Sequence, residues 1–510
     1  MLTCGLSTTH FEIVVPAAGL RVPTCGERTR IIPFSQTYCI RDGGIEGSAG
    51  ILMLISAFRP GIGACLFCVF LTSCATYRPE PLTYHPDLQL SLRDLVVSAD
   101  QFPLPCSEFY RFDPRRPLRM DDVAIIAVAN NPDLRAIRSK IGVAQAQVFA
   151  AGILPNPLFT FDYGFLTGGP GTTDTILAGL SQDIVPLLTR STRKAGARAS
   201  DINVELDVAW QEWQVVSRAR LLFVNAISLA KQRRLIEASL QLFKKRYQLS
   251  YQAMQAGNVV LPTVTSDLVA FNSAETQLND IDLLILKNEH DLNALLGLRP
   301  DAIVRLSSEL RLPAIDAARL EPLLMDLAAR RPDLLALRAG YQAQEEKVRR
   351  AVIEQFPRLS VGSNFARDAT DVRTQSLAIT ISLPIFDRNQ GNIAIERATR
   401  EQLREEYQAR LDAAYGEAVR LISELRLAEN QYRSSVESIR RLREAVATAE
   451  PAFRAGNLDE RTFVDLRTSL LAKEIATAKL EQIIFQQRVG LQTLIGSCLP
   501  NRRFDLPMML

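Results

Sequence analysis

Histidine is nearly missing from this sequence. Three occur in 510 residues, His10, His85 and His290, scattered with no ligand spacing. That leaves no His/Cys metal centre and no Ser-His or Cys-His catalytic pair to build. Cysteine is scarce beyond the first 74 positions, where only Cys106 and Cys498 remain. Cys65 and Cys68 have a C-x-x-C spacing, used in redox and metal half-sites, but they sit in an apolar run with no second ligand pair nearby. There is no phosphate-binding glycine loop and no H-E-x-x-H. No enzyme and no cofactor follows from these residues. Aromatic residues make up only 7% of the chain, and the net charge of +3 comes without a basic run, so nothing argues for a nucleic-acid partner. No stretch reaches 18 uninterrupted apolar residues, which removes a transmembrane helix from the reading.

The longest apolar run is "GIGACLFCVFL", residues 61–71, preceded by Arg59 and followed by Thr72, Ser73 and Cys74. Eleven residues are too few to span a bilayer and suit the apolar region of a signal peptide. The ending at Cys74 resembles a bacterial lipobox, in which the cysteine is lipidated; an ordinary signal peptide is the alternative. Ala75 follows rather than Asp, which by resemblance to Gram-negative lipoproteins points to the outer membrane. The expected organisation is a mis-called upstream extension over 1–52 with the start at Met53, a signal peptide over 53–73, and an N-terminal tether over 74–119.

What the chain has in quantity is repetition. "NNPDLRAIR" at 130–138 returns as "RRPDLLALR" at 330–338. Pro157 matches Pro357, Pro186 matches Pro384, "QAGN" at 255–258 matches "RAGN" at 454–457, and "LNALLG" at 292–297 matches "LQTLIG" at 491–496. Five landmarks in one order, at nearly one offset, define a tandem duplication. The units are placed at 120–319 and 320–497, with a C-terminal tail over 498–510.

Each unit reads helix, strand, strand, long helix, turn, helix. The first helix opens near Met120 in one unit and Leu320 in the other, ending before Pro157 and Pro357. Past Pro157 the period becomes two: Phe159, Phe161, Tyr163 and Phe165 point one way, Thr160, Asp162 and Gly164 the other. In the second unit Leu359, Val361 and Phe365 oppose Arg358, Gly362 and Asn364, and Leu377, Ile379, Ile381 and Leu383 oppose Ser376, Thr380 and Ser382. The face of "TILAGLSQDI" is open, because its offset reverses parity. Such strands suit lipid on one side and water on the other, or a soluble hairpin on a core. Four strands cannot close a barrel, and hydrocarbon tolerates no open edge, so membrane strands would require several chains.

Between the strands and the next turn run two long helical stretches. Val208, Val215, Leu222, Leu229, Ile236 and Phe243 repeat every seven residues, as do Ala418, Leu425, Tyr432, Ile439, Val446 and Phe453. Each stretch is about 68 residues, hence about 100 Å at 1.5 Å per residue, and its period implies left-handed supercoiling. A structural coiled-coil rod would share this period, but has no use for two amphipathic hairpins at matching points.

The "PDL" helix starts, "LPNP" before the first strand, the "AGN" turns, the terminal "LLG" and "LIG", and the lipobox together resemble the TolC-type outer-membrane efflux proteins. "LPIFDRNQG" at 383–391 is similar to the CzcC-like heavy-metal branch. The resemblance covers about residues 120–497. It implies an α+β membrane protein, a homotrimer whose chains supply a 12-stranded β-barrel continued by an α-helical periplasmic tunnel. It further implies a passive export duct, lipid-anchored in the outer membrane, serving an inner-membrane pump through a periplasmic adaptor. The lipid-facing strand residues would be Phe159, Phe161, Tyr163, Phe165, Leu377, Ile379 and Ile381. The tips where the tunnel closes and the adaptor docks would be 247–267 and 453–465, with Gly257, Asn258, Gly456 and Asn457 at the turns. Asp465 holds one of two positions at which the family often places a ring of carboxylates. Thr462 holds the other, and Asp267 lies one position out of step. A carboxylate ring attracts cations; a solvated helix residue is the alternative for Asp465. Asp387, Arg388 and Asn389 are expected to cap and turn the chain rather than bind cargo. Heavy-metal export leads among duct readings over export of organic compounds. A periplasmic coiled-coil adaptor or structural lipoprotein is the reading from another class.

Overall fold

A computed structural model describes residues 77–95, 113, 115–310, 312 and 322–496; the expected signal peptide, Cys74 and the C-terminal tail lie outside them. Residues 77–84 form an exposed, irregular segment. Among the described residues, the unit from His85 onward holds all the regular structure. Its principal elements are α1 (Met120–Asn130), α2 (Pro132–Gly152), β1 (Leu158–Gly164), β2 (Thr175–Asp183), α3 (Arg190–Gln255), α4 (Leu261–Leu295), α5 (Pro332–Ile353), β3 (Leu359–Arg367), β4 (Arg373–Ile381), α6 (Gln390–Arg454) and α7 (Glu460–Leu494). Single helical turns stand at Val185–Leu188 and Leu327–Arg330.

The helical stretch that opens at Met120 is two helices, the second beginning at the "PDL" start. Asn131 leaves the helical region at φ −58°, ψ 123°, the conformation that a following proline imposes. Its side chain then serves both sides of the break. The Leu134 amide donates to Asn131 Oδ1 at 2.9 Å, and Asn131 Nδ2 donates to the Leu295 carbonyl at 3.1 Å. Pro132 occupies the first helical position, where no amide is needed. The second "PDL" also starts a helix, but Arg331 replaces the asparagine and caps nothing. Its guanidinium instead grips Asp333 through Nε at 3.0 Å and Nη2 at 2.7 Å.

The heptads pack as their period requires. Val208, Leu222, Leu229 and Ile236 are buried on α3, and Val215 and Phe243 are half-buried. On α6, Ala418, Leu425 and Ile439 are buried, and Tyr432, Val446 and Phe453 are half-buried. Helix α3 forms a hairpin with α4, α6 forms one with α7, and α3 against α7 joins the repeats. That join carries a polar seam. Gln232 Nε2 donates to Gln482 Oε1 at 2.8 Å, while Gln482 and Gln486 both donate to Asn225 Oδ1, at 3.0 and 2.7 Å. Buried polar pairs of this kind fix the register of packed helices.

The largest apolar cluster gathers where α1, α2 and the far end of α4 meet α3, around Val123, Ile126, Leu134, Phe223 and Leu296. Two parallel bridges, Gln89 with Leu298 and Leu118 with Leu306, tie the segment before α1 to the linker between repeats. No helix among the described residues is long and apolar enough to cross a membrane.

Candidate functional site

The four strands form one antiparallel sheet in the order β1-β2-β3-β4. Its register settles the face left open by the sequence. Phe159, Phe161 and Tyr163 pair with Leu180, Ala178 and Ile176, so these residues share a face of the pleat. Continuing through β3, Ala178 pairs with Phe365 and Gln182 with Val361. Ser363 then pairs with Leu377, Val361 with Ile379 and Leu359 with Ile381. The strand residues expected on one apolar side therefore stand on one side, across two repeats that pair in space. Phe165 and Leu383 fall outside the strands, one residue past β1 and two past β4.

The other face carries Thr160, Asp162, Gly179, Ser181, Gly362, Asn364, Ser376 and Thr380. The apolar side is not packed against this chain: Phe159 is 66% exposed, Leu377 72% and Ile379 58%. A sheet with an uncovered apolar face, and with unpaired outer edges on β1 and β4, is unfinished in the single chain.

The helical hairpins end in matching turns. Gly257 at φ +77° and Gly456 at φ +75° hold the left-handed position. The Asn258 amide donates to the Ala253 carbonyl at 2.8 Å, and the Asn457 amide to the Ala452 carbonyl at 2.9 Å. This six-to-one closure stops a helix where only glycine sits without strain. Each following helix begins its own way. Pro262 lies in the first turn of α4, whereas Asp459 caps α7, accepting from the Thr462 amide at 2.9 Å and the Thr462 hydroxyl at 2.7 Å. Those bonds to Thr462 hold the Asp459 carboxyl below the usual range.

The two carboxylates singled out in the sequence come together around arginines. Asp267 has no exposed surface; its Oδ1 lies 3.0 Å from Arg246 Nε and 3.2 Å from Arg461 Nη2. Asp465, half exposed, pairs with Nη1 of the same Arg246. Lys245 adds a pair to Glu460 at 2.8 Å. Within the protomer neither aspartate is a bare charge, and the cluster binds the first hairpin to the second. Arg246 and Arg461 were not foreseen: Asp465 lies 219 positions from Arg246 and Asp267 lies 194 from Arg461, and nothing local marks such arginines.

The turn at "DRNQG" is a folding device. Asp387 Oδ1 accepts from the Asn389 amide at 2.8 Å, Asn389 is left-handed at φ +62°, and Asn389 Nδ2 donates to the Ala351 carbonyl at 2.9 Å. Asn389 precedes α6 without capping it through its side chain.

Residues 323–497 match the family described as outer membrane efflux protein. The chain is 23% identical over 406 residues to the pyoverdine export outer membrane protein OpmQ of Pseudomonas putida, covering 74% of this chain and 85% of that one. It is 24% identical over 349 residues to the cobalt-zinc-cadmium resistance protein CzcC of Cupriavidus metallidurans, covering 67% and 79%. Its fold matches the outer membrane protein VceC of Vibrio cholerae with a TM-score of 0.59 at 17% identity, over 74% of this chain and 96% of that one. The agreement in fold covers about three quarters of the chain, residues 323–497 match the outer membrane efflux protein family, and the proteins the chain is similar to are efflux channels rather than enzymes.

Proposed function

We propose that three copies of this chain form the outer-membrane duct of a tripartite exporter. The observation that carries this reading is the four-stranded sheet, apolar on one side and open at both edges, in a chain of long paired helices. Hydrocarbon leaves no strand edge unpaired. Pairing β4 of each copy with β1 of the next closes twelve strands into a barrel, with Phe159, Phe161, Tyr163, Leu377, Ile379 and Ile381 toward lipid. The long hairpins then continue as a tunnel in the periplasm, and Cys74 supplies a lipid anchor. The turns at Gly257 and Gly456 are the periplasmic tips, where an adaptor docks and links the duct to an inner-membrane pump. The cluster of Arg246, Asp267, Arg461 and Asp465 holds the tips in the closed arrangement.

Heavy-metal cations are the proposed cargo, supported by "DRNQG" and by the likeness to CzcC. The comparable likeness to a pyoverdine exporter favours organic compounds as the second reading.

The test is to express the chain from Met53, isolate it from outer membranes and weigh it in detergent. A trimer that loses its lipid mass when Cys74 becomes Ser supports an anchored duct. A monomer or dimer released by salt washing overturns it in favour of a coiled-coil adaptor. Sensitivity of a deletion strain to cobalt, zinc and cadmium against a panel of organic chelators separates the two cargo classes.

A further inference from the structure

The strands themselves carry only four formal charges, and the register sorts them by sign. Asp162 and Asp183 lie on the polar face; Arg367 and Arg373 lie on the apolar one. The two arginines are direct cross-strand partners. Like charges placed opposite each other in an antiparallel pair repel, so this row calls for a counter-charge.

Its position suggests which one. The row reads Tyr163, Ile176, Arg367, Arg373 across the four strands and terminates the apolar band. From Leu359 to Arg367 the chain climbs about 27 Å at about 3.4 Å per residue. Tilted by about 40°, as membrane strands are, that is a height of about 20 Å, close to the edge of an apolar band about 25 Å tall. Guanidinium groups there stand at headgroup level.

The protein's own compensation is incomplete. Arg367 Nη2 donates to the Asp174 carbonyl at 3.1 Å, but its Nε is out of solvent with no partner. Arg373 pairs with Asp371 at 3.7 Å, and its side chain is 65% exposed. The Asp174 carboxylate attracts Arg367 through its charge, but its oxygens, like those of Asp368, are taken up by other donors. Asp174 accepts from the Tyr163 hydroxyl at 2.5 Å and the Leu166 amide at 2.9 Å. Asp368 Oδ1 accepts from the Thr370 amide and hydroxyl and the Val372 amide. The loops beyond the row are braced, since the Thr172 amide donates to the Ala369 carbonyl at 2.7 Å and joins the two hairpin loops.

We propose that Arg367 and Arg373 together clamp the phosphate of a phosphorylated lipid headgroup in the outer leaflet. The proposal rests on the reading of the sheet as part of an outer-membrane barrel. Phosphate offers the acceptor oxygens that two guanidinium forks match, in a geometry that lysine does not reproduce.

The experiment measures thermal unfolding of the detergent-solubilised trimer with bisphosphorylated lipid A, with its dephosphorylated counterpart, and with inorganic phosphate alone. Wild type is expected to gain several degrees from the phosphorylated lipid over the dephosphorylated one. Arg367→Gln/Arg373→Gln is expected to lose that preference, and Arg373→Lys to keep only part of it. If the double variant does not assemble, Arg373→Gln alone, at an exposed side chain, must still shrink the preference. Equal shifts with both lipids, or an unchanged preference in the variants, overturn the clamp. A full shift with inorganic phosphate makes it a free-anion site and overturns the lipid assignment. A wild-type chain that forms no membrane trimer overturns the barrel reading before any lipid is added.

Discussion

Arg246 Nε lies 3.0 Å from Oδ1 of Asp267, a carboxylate with no exposed surface, and the same guanidinium also holds Asp465 on another helix. One side chain thus joins the ends of α3, α4 and α7. Truncating Arg246 to Ala strands a buried charge on Arg461 alone, and losing one partner of a buried pair costs about 3 kcal/mol. The expected outcome is faster amide exchange over 247–267 and a severalfold higher conductance of the reconstituted channel. Asp465→Asn removes only the half-exposed arm of the cluster and is expected to do much less. Equal effects from both variants would disconnect the buried pair from closure.

Gly257 and Gly456 test the turns without touching any side-chain packing. A Cβ at either glycine meets no atom within 4 Å, so the whole cost of substitution is the left-handed backbone. Alanine at each position should destabilise by about 1 kcal/mol, and the double variant by the sum, since each turn belongs to a different hairpin. Urea unfolding of the three variants checks both the size and the additivity.

The repeat, the strand pairs and the heptads were legible because each is periodic, and period is what a sequence displays. Local punctuation was legible too: both "AGN" turns stop helices with the expected glycine. The helix start at Pro132 was legible from its "PDL" motif, but the apolar pattern runs on from Met120 across Asn131 and hides that the stretch is two helices. The face of β2 depended on its pairing with β1 and β3, which no single strand records. Least legible was the tip cluster. Asp465 and Asp267 drew notice as acids near a turn, but their neutralisation by Arg246 and Arg461 depends on which helices pack together.

Adjacent residues of β4 discriminate the two sides of the sheet. Ile379 lies on the apolar face opposite Val361, and Thr380 on the polar face opposite Ser360. If the apolar face meets lipid, Ile379→Arg costs about 2–4 kcal/mol per chain near the bilayer centre and should abolish trimer recovery from outer membranes. Thr380→Arg faces water and should assemble. Equal recovery of both variants in membrane fractions would argue for a soluble sheet.

The second "PDL" start carries a pH dependence. Burial pushes the Asp333 carboxyl up, but hydrogen bonds and charge from Arg331 and then Arg410 outweigh it, leaving Asp333 below the usual carboxylate range. Arg331 also lies over the Trp210 ring at 4.8 Å, so the triad ties α5 to both α3 and α6. A carboxylate depressed by folding contributes stability that is present above its unfolded pKa of about 4 and lost as pH falls toward the folded value. Thermal stability should therefore fall as the pH drops below about 4. Asp333→Asn should lose stability at pH 7 and show a shallower acid limb. An acid limb of unchanged slope in the variant would place the sensitivity on other carboxylates.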